Sequence, residues 1–202
     1  LLRLSLVVSI VVLALTAMLV AVVCGTILGV LAAVHQNTWI DTLCMTLAVF
    51  GVSIPIFWSG ILLITLFSAG LHWLPATGQG SLKHLLMPMF VLGFASSGAI
   101  ARLIRADMLE VLGTDYIVTA KAKGLSLRVT IARHALRNAL IPALTLIGLQ
   151  FGFLLGGTVV TETVFSRQGI GRLVIDAILW KDFPVVQGTV LFSAIAYTLL
   201  NI

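Results

Sequence analysis

The stretch Asp115-Tyr116-Ile117-Val118-Thr119-Ala120-Lys121-Ala122-Lys123-Gly124-Leu125, followed by Ser126 and then by Arg133-His134-Ala135-Leu136-Arg137-Asn138-Ala139-Leu140-Ile141-Pro142, decides how this chain folds. Local rules predict two helices in it. Asp115 suits an N-cap, Lys121 and Lys123 fall where a helix C-terminus favours cations, and Gly124 suits the left-handed position past the last turn. Ser126 suits the cap of a second helix running to Pro142. That helix would carry Leu127, Ile131, Ala132, Ala135, Leu136 and Ala139 on one side and Arg133, His134, Arg137 and Asn138 on the other. It is expected to lie along a membrane surface before the chain turns inward. The resulting shape is a short helix held out by a basic elbow, suited to docking on a soluble partner.

The sequence on either side is too apolar for water. The 202 residues are 60% hydrophobic and 9% charged, with mean hydropathy +1.17, whereas a soluble domain carries about 25% charged residues to solvate its surface. Charged residues are absent from 4–40, 42–82, 84–101, 138–161 and 183–202, and about 20 apolar residues in a helix cross the hydrocarbon core. Spans are predicted near 8–34, 43–70, 85–108, 139–164 and 184–202, with polar breaks at 35–41, 71–84, 109–138 and 165–183. A signal peptide would be one short apolar stretch ahead of polar sequence, and this chain stays apolar to its end. The expected fold is an all-α membrane protein, a polytopic helical bundle of about five spans forming one domain over 1–202.

Charge orients that bundle. A net charge of +5 in a soluble protein would suggest nucleic acid, but here the charge belongs to one side of a membrane and no nucleic-acid partner is expected. Seven of the twelve basic residues, Arg102, Arg105, Lys121, Lys123, Arg128, Arg133 and Arg137, lie at or inside the third break. Cytoplasmic loops carry the Lys/Arg excess, so 109–138 is placed in the cytoplasm. Parity then puts 35–41 and the C-terminus inside, and the N-terminus, 71–84 and 165–183 outside. Arg167, Arg172 and Lys181 in the last break oppose this bias, although Asp176 and Asp182 share it.

Individual residues carry weaker signals. Gly25/Gly29 and Gly148/Gly152/Gly156 recur at four-residue spacing, which lines small residues along one helix face. Pro55, Pro88 and Pro142 interrupt or open helices, which membranes tolerate where neighbours satisfy the freed carbonyls. Ser53, Pro55 and Trp58 either break the second span to shape a solute path or form a packed kink. Glu162 ends a charge-free run, where an ionisable group is costly; it either lines the path or pairs with Arg167 or Arg172 near the interface. Asp107 and Glu110 beside Arg102 and Arg105 read as a helix-end charge cluster. Cys24 and Cys44 have neither disulfide nor metal spacing, and His35, His72, His84 and His134 are scattered, so no metal site is expected. Trp39, Trp58, Trp73 and Trp180 fall near span ends or in loops, as interface anchors do. Loop basicity alone would also attract anionic lipid headgroups, though not explain the cap and glycine spacing.

The opening stretch resembles the dipeptide/oligopeptide/nickel branch of ABC-importer permeases, whose cytoplasmic loop reads much like Tyr-Ile-x-Thr-Ala-x-Ala-Lys-Gly-Leu and then Arg-His-Ala-Leu-Arg-Asn-Ala-Leu-x-Pro. The resemblance covers nearly the whole chain. It includes Gly51-Val52-Ser53-Ile54-Pro55 with Phe57-Trp58, Leu74-Pro75-Ala76 with Gly78, Gly157-Thr158-Val159-Val160 with Glu162, Val164 and Phe165, Gly169-Ile170-Gly171-Arg172, and Asp182-Phe183-Pro184-Val185-Val186-Gln187-Gly188. Where a broader permease signature has Glu-Ala-Ala, this chain has Val118-Thr119-Ala120, and its later proline falls at Arg137. Both departures fit the peptide/nickel branch. Arg167-Gln168 stands where a Trp-Pro pair is expected.

The resemblance implies a MetI-like transmembrane domain in a bacterial-type cytoplasmic membrane. Tyr116, Thr119, Ala120, Lys121, Ala122, Lys123, Gly124 and Leu125 would form the coupling element that inserts into a cleft on an ATPase subunit. Implied partners are a second permease forming a heterodimer, two ATP-binding subunits, an extracytoplasmic solute-binding protein and membrane lipid. The chain itself would bind no cofactor, with ATP and magnesium on the partner ATPases. The solute would be a di- or oligopeptide, glutathione or a nickel complex. Family members start with another span and continue into a short basic tail, so the chain is expected to be a fragment. No Gly-x4-Gly-Lys-[Ser/Thr] loop is present to cradle phosphates, so energy is expected from another chain. Rival readings are an ion-coupled secondary transporter, for which no inverted repeats or buried ion-binding carboxylates are visible, and an intramembrane hydrolase using Ser59, for which no base is placed within a span.

Overall fold

A computed structural model describes residues 2–157 and 159–200. In chain order the helices are α1 (Leu2–Val34), α2 (Trp39–Ser53), α3 (Ile56–Leu63), α4 (Leu82–Leu112), α5 (Asp115–Ala122), α6 (Leu127–Val129), α7 (Leu136–Gly157), α8 (Val159–Val164), α9 (Ile170–Leu179) and α10 (Phe183–Leu200). α3 continues as a π-helical segment, Ile64–Gly70, and another, Thr130–Ala135, joins α6 to α7. No strand occurs among the described residues. The expected all-α fold is therefore the observed one.

Each predicted apolar run is helical, but two depart from straight spans. The run 43–70 is bent by 101° between Trp39–Ser53 and Ile56–Gly70. Pro55 is the cause, since it offers no N–H to α2 and its ring blocks the preceding turn. The run 139–164 starts far earlier than predicted, because helix continues from Leu127 to Leu154 straight through Pro142. No separate surface helix turns in at that proline. Val8–Val34 and Leu82–Leu112 are the other helices long and apolar enough to cross a membrane, and α10 is a shorter apolar one. Residues 201–202 of the predicted last span lie outside the described residues.

α1 and α4 form the spine. In lipid no hydrophobic effect drives helices together, so close backbone approach and dispersion carry the packing. A Cβ on Gly25 would meet the Ile100 Cβ at 2.8 Å, one on Gly29 the Ala101 carbonyl oxygen at 2.7 Å, and one on Gly93 the Ala17 carbonyl oxygen at 2.6 Å. Gly98 lies hard against the Ala48 carbonyl of α2. The core around this spine holds Leu13, Ala17, Ala21, Ile100, Ile104 and Met108, and Ala135, Ala139 and Ala143 from the last long helix join it. The expected glycine face on α7 is different. Gly152 is buried, but no described atom comes within 4 Å of a Cβ on Gly148, and the surroundings of Gly156 lie outside the described residues.

Loop contacts gather at two ends. At one, Arg105 of α4 grips Asp41 of α2, joining the break at 35–41 to the basic end of α4. At the other, Gly78 N–H donates to the Phe165 carbonyl at 3.1 Å, and Gln79 Nε2 donates to the Gln168 carbonyl at 2.6 Å. The breaks at 35–41 and 109–138 thus share one end, and those at 71–84 and 165–183 share the other, as parity requires.

Candidate coupling and conduit site

The basic end is built around α5. The Thr114 carbonyl accepts from the Ile117 and Val118 N–H groups, so the helix opens on Thr114 and Asp115 falls one position later than predicted. Asp115 still lies in the first turn, where an anion meets the positive end of the helix dipole. At the far end Gly124 has φ +80°, the left-handed conformation predicted for it. The Leu125 N–H then reaches back to the Ala120 carbonyl at 3.3 Å, closing the turn. Ser126 precedes α6 as expected, but its carbonyl, not its hydroxyl, takes the first bonds, from Thr130 N and Thr130 Oγ1.

Burial divides this helix in two. Ile117 is fully buried and belongs to the bundle core, and Ala120 is nearly so. Tyr116, Val118, Thr119, Ala122, Lys123, Gly124 and Leu125 are exposed. The Lys121 side chain lies outside the described residues. Ala120 therefore seats the helix, while its neighbours face outward. The π segment beneath it resets the predicted faces. A π turn brings residues five apart onto one side, so the buried row runs Thr130, Ala135, Ala139, Ala143. Leu127 and Ala132, expected on that row, are exposed instead.

Two side-chain contacts at this end were not visible in the sequence. Asn138 Nδ2 donates to Tyr116 Oη at 2.7 Å. Arg105 donates to Asp41 through Nε and one terminal nitrogen, both at 2.7 Å, and the Asn37 N–H adds a third bond at 3.0 Å. Arg105 thus pairs across the bundle with Asp41, whereas the sequence grouped it with Asp107 and Glu110.

Mid-bundle, the α2–α3 bend exposes Ser53, Pro55 and Trp58. Trp58 borders an apolar recess of about 240 Å³ with Phe50, Phe90 and Phe94, and Phe90 and Phe94 stack with centroids 5.8 Å apart. Ser59 donates to the Pro55 carbonyl, which also accepts from the Trp58 and Ser59 N–H groups and so anchors the first turn of α3.

Glu162 stands apart from these residues. It is 1% exposed at the opposite end, where its carboxylate accepts from the Arg172 N–H at 3.0 Å and fills the space beside Gly169 and Gly171. Arg167, 6% exposed, donates to the His84 carbonyl at 3.2 Å and to Ser9 Oγ at 3.1 Å. Burial pushes its guanidinium below the usual arginine range, and the charge of nearby Glu162 opposes that shift. The Arg167-Gln168 pair thus ties together the ends of α1, α4 and α8. Thr158, part of the quoted motif around Glu162, lies outside the described residues.

These features define a class: a multi-pass membrane protein, without strands among the described residues, that presents a short helix at its basic end. The chain belongs to the family of binding-protein-dependent transport system inner membrane components, whose pattern matches residues 25–202. It is 46% identical over 190 residues to the glutathione transport system permease protein GsiC of Escherichia coli strain K12, covering 94% of this chain. Identity to the proteins of that name from Shigella flexneri serotype 5b and Salmonella paratyphi A is 45% and 46%. The chain spans 62% of the length of these relatives. Its fold is similar to a chain of the MetNI methionine ABC transporter in an inward-facing crystal form, with TM-score 0.79 at 18% identity, over 98% of this chain and 90% of that one. A crystal structure of an amino acid ABC transporter with histidines matches with TM-score 0.68 at 14% identity, over 98% and 88%.

Proposed function

We propose that this chain is the permease subunit of an ABC importer, a conduit and coupling element without catalysis of its own. The observation that supports this best is α5, a two-turn helix seated by Ile117 and Ala120 that, with the turn after it, leaves Tyr116, Thr119, Ala122, Lys123 and Leu125 facing outward. A conduit alone has no use for such a projection. An ATPase subunit with a cleft does. In this reading two ATP-binding partners carry ATP and magnesium, and their closure moves α5. A second permease completes the conduit as a heterodimer, and an extracytoplasmic binding protein delivers the solute. The path runs past the α2–α3 bend at Ser53, Pro55 and Trp58, while Glu162 holds the outer loop. The solute is peptide-like. Glutathione comes first, because relatives at 46% identity carry that name.

Gly124→Asp tests the docking role. The substitution forces a side chain into a left-handed conformation at a cost of about 1 kcal/mol and sets an anion where the helix end favours cations. Space beside Gly124 is open, so the bundle should still assemble. ATP-dependent glutathione uptake by the complete transporter should fall about tenfold or more with the protein still in the membrane. Normal uptake would remove the docking role.

A further inference from the structure

The α2–α3 bend, the middle of α4 and the second half of α7 enclose a cleft of about 330 Å³, at the small end of ligand pockets of about 300–1,000 Å³. Val52, Ile54, Leu92 and Phe153 supply apolar walls, and Ser96 and Gln150 are its polar lining. None of its lining residues is charged. Neither the Ser96 hydroxyl nor the Gln150 carboxamide hydrogen-bonds to any described residue.

Depth makes this informative. Counted from Asn138, where the charge-free run begins, Gln150 lies about 18 Å along the helix axis, past the midpoint of a hydrocarbon core about 30 Å thick. It sits on the side of α7 that carries Ala139, Ala143 and Leu154, which turns toward the bundle. A carboxamide at that depth is costly unless something polar meets it. No described residue does, which leaves water, cargo or a partner subunit to meet it.

We infer that this cleft is a solute-contacting wall of the conduit, with Gln150 and Ser96 hydrogen-bonding the amide and carboxyl groups of a peptide-like solute; the inference rests on the permease reading above. A carboxamide offers one acceptor and two donors, complementary to a peptide group, and a hydroxyl offers both roles again. The apolar walls and Phe153 accommodate an aliphatic or thiol side chain. A bare divalent cation finds no carboxylate, imidazole or thiolate in the lining. Selection here acts on amide groups, and net charge is left to other parts of the system.

The test uses the assembled transporter in membrane vesicles, with Cys24 and Cys44 replaced by Ala. Gln150→Cys is exposed to a membrane-impermeant methanethiosulfonate reagent beside Leu19→Cys, a control on the outer face of α1, 65% exposed. Only a thiol that meets water ionises and reacts, so the Gln150→Cys variant should label about tenfold faster. Equal, slow labelling would overturn the inference. Gln150→Leu should raise the KM for glutathione about fivefold, the worth of one hydrogen bond, with Gln150→Asn between it and wild type. An unchanged KM in Gln150→Leu would also overturn it. Labelling needs no transport, and wild-type uptake in the same vesicles reports the permease reading by itself.

Discussion

Asn138 donates a 2.7 Å hydrogen bond from its side-chain amide to the phenolic oxygen of Tyr116, linking the outward side of α5 to the first turn of α7. The same α7 carries Gln150 and Phe153 to the mid-bundle cleft. In the proposed coupling role, a displacement of α5 would reach the helix that lines the cleft through this bond and through the seating of Ile117.

Tyr116→Phe and Asn138→Leu should each lower solute uptake per ATP hydrolysed about two- to tenfold, matching a hydrogen bond of roughly 0.5–1.5 kcal/mol. The double variant should be no worse than either single one, because one interaction is lost only once. Asn138→Asp removes that donor but accepts from the Tyr116 hydroxyl instead, reversing the bond, and should retain most of the coupling. Additive losses in the double variant would mean that the two residues act separately.

Asp41 and Arg105 should behave as a structural pair. Arg105→Ala leaves a carboxylate that is 6% exposed with, among the described residues, only the Asn37 N–H as a bonding partner. A fully buried pair broken this way loses about 3–5 kcal/mol. Arg105 is 27% exposed, so about 1–3 kcal/mol is expected, read as a lower Tm of the detergent-solubilised protein. Arg105→Lys should not restore it, since an ammonium lacks the two-pronged fork that meets both carboxylate oxygens. An unchanged Tm in Arg105→Ala would show that the pair contributes nothing.

What the sequence disclosed follows from what local rules can see. Charge-free runs located the helices, because burial of charge in lipid is costly at every position along them. Gly124 and Asp115 outlined α5, because capping acts within a few residues. Distance in space was the missing quantity. Arg105 was grouped with Asp107 and Glu110, its neighbours in sequence, while its partner Asp41 lies 64 residues away. Gln150 passed as part of an apolar run because it bears no charge, although a polar side chain inside a predicted span is itself a signal. The four-residue glycine spacing marks close packing at Gly25 and Gly29, while no described residue fills the space beside Gly148, since spacing names a face and not the neighbour that fills it. The π turn at Thr130–Ala135 moved the buried row by one residue, and nothing in the residue pattern announced it.

The outer loop gives the last prediction, and it turns on space at Gly169. Its backbone is extended, with φ −151° and ψ 177°, a conformation open to any residue, so a side chain there costs nothing in backbone strain. A Cβ would instead overlap the Glu162 carboxyl, which caps the start of α9 through the Arg172 N–H and neighbours the buried Arg167. Gly169→Ala should displace that carboxylate and lower stability by about 2–4 kcal/mol, combining overpacking with loss of a charged hydrogen bond. Gly188→Ala, inside α10 and with open space beside the glycine, should hold or raise the Tm, since alanine favours the helix by about 0.5–1 kcal/mol. Glu162→Ala alone should also destabilise, by stranding Arg167 without its nearby anion. In that background, however, the Gly169→Ala methyl group gains room, so the double variant should melt above the sum of the two single losses. Strict additivity would mean that Gly169 is held for some contact other than the Glu162 carboxylate.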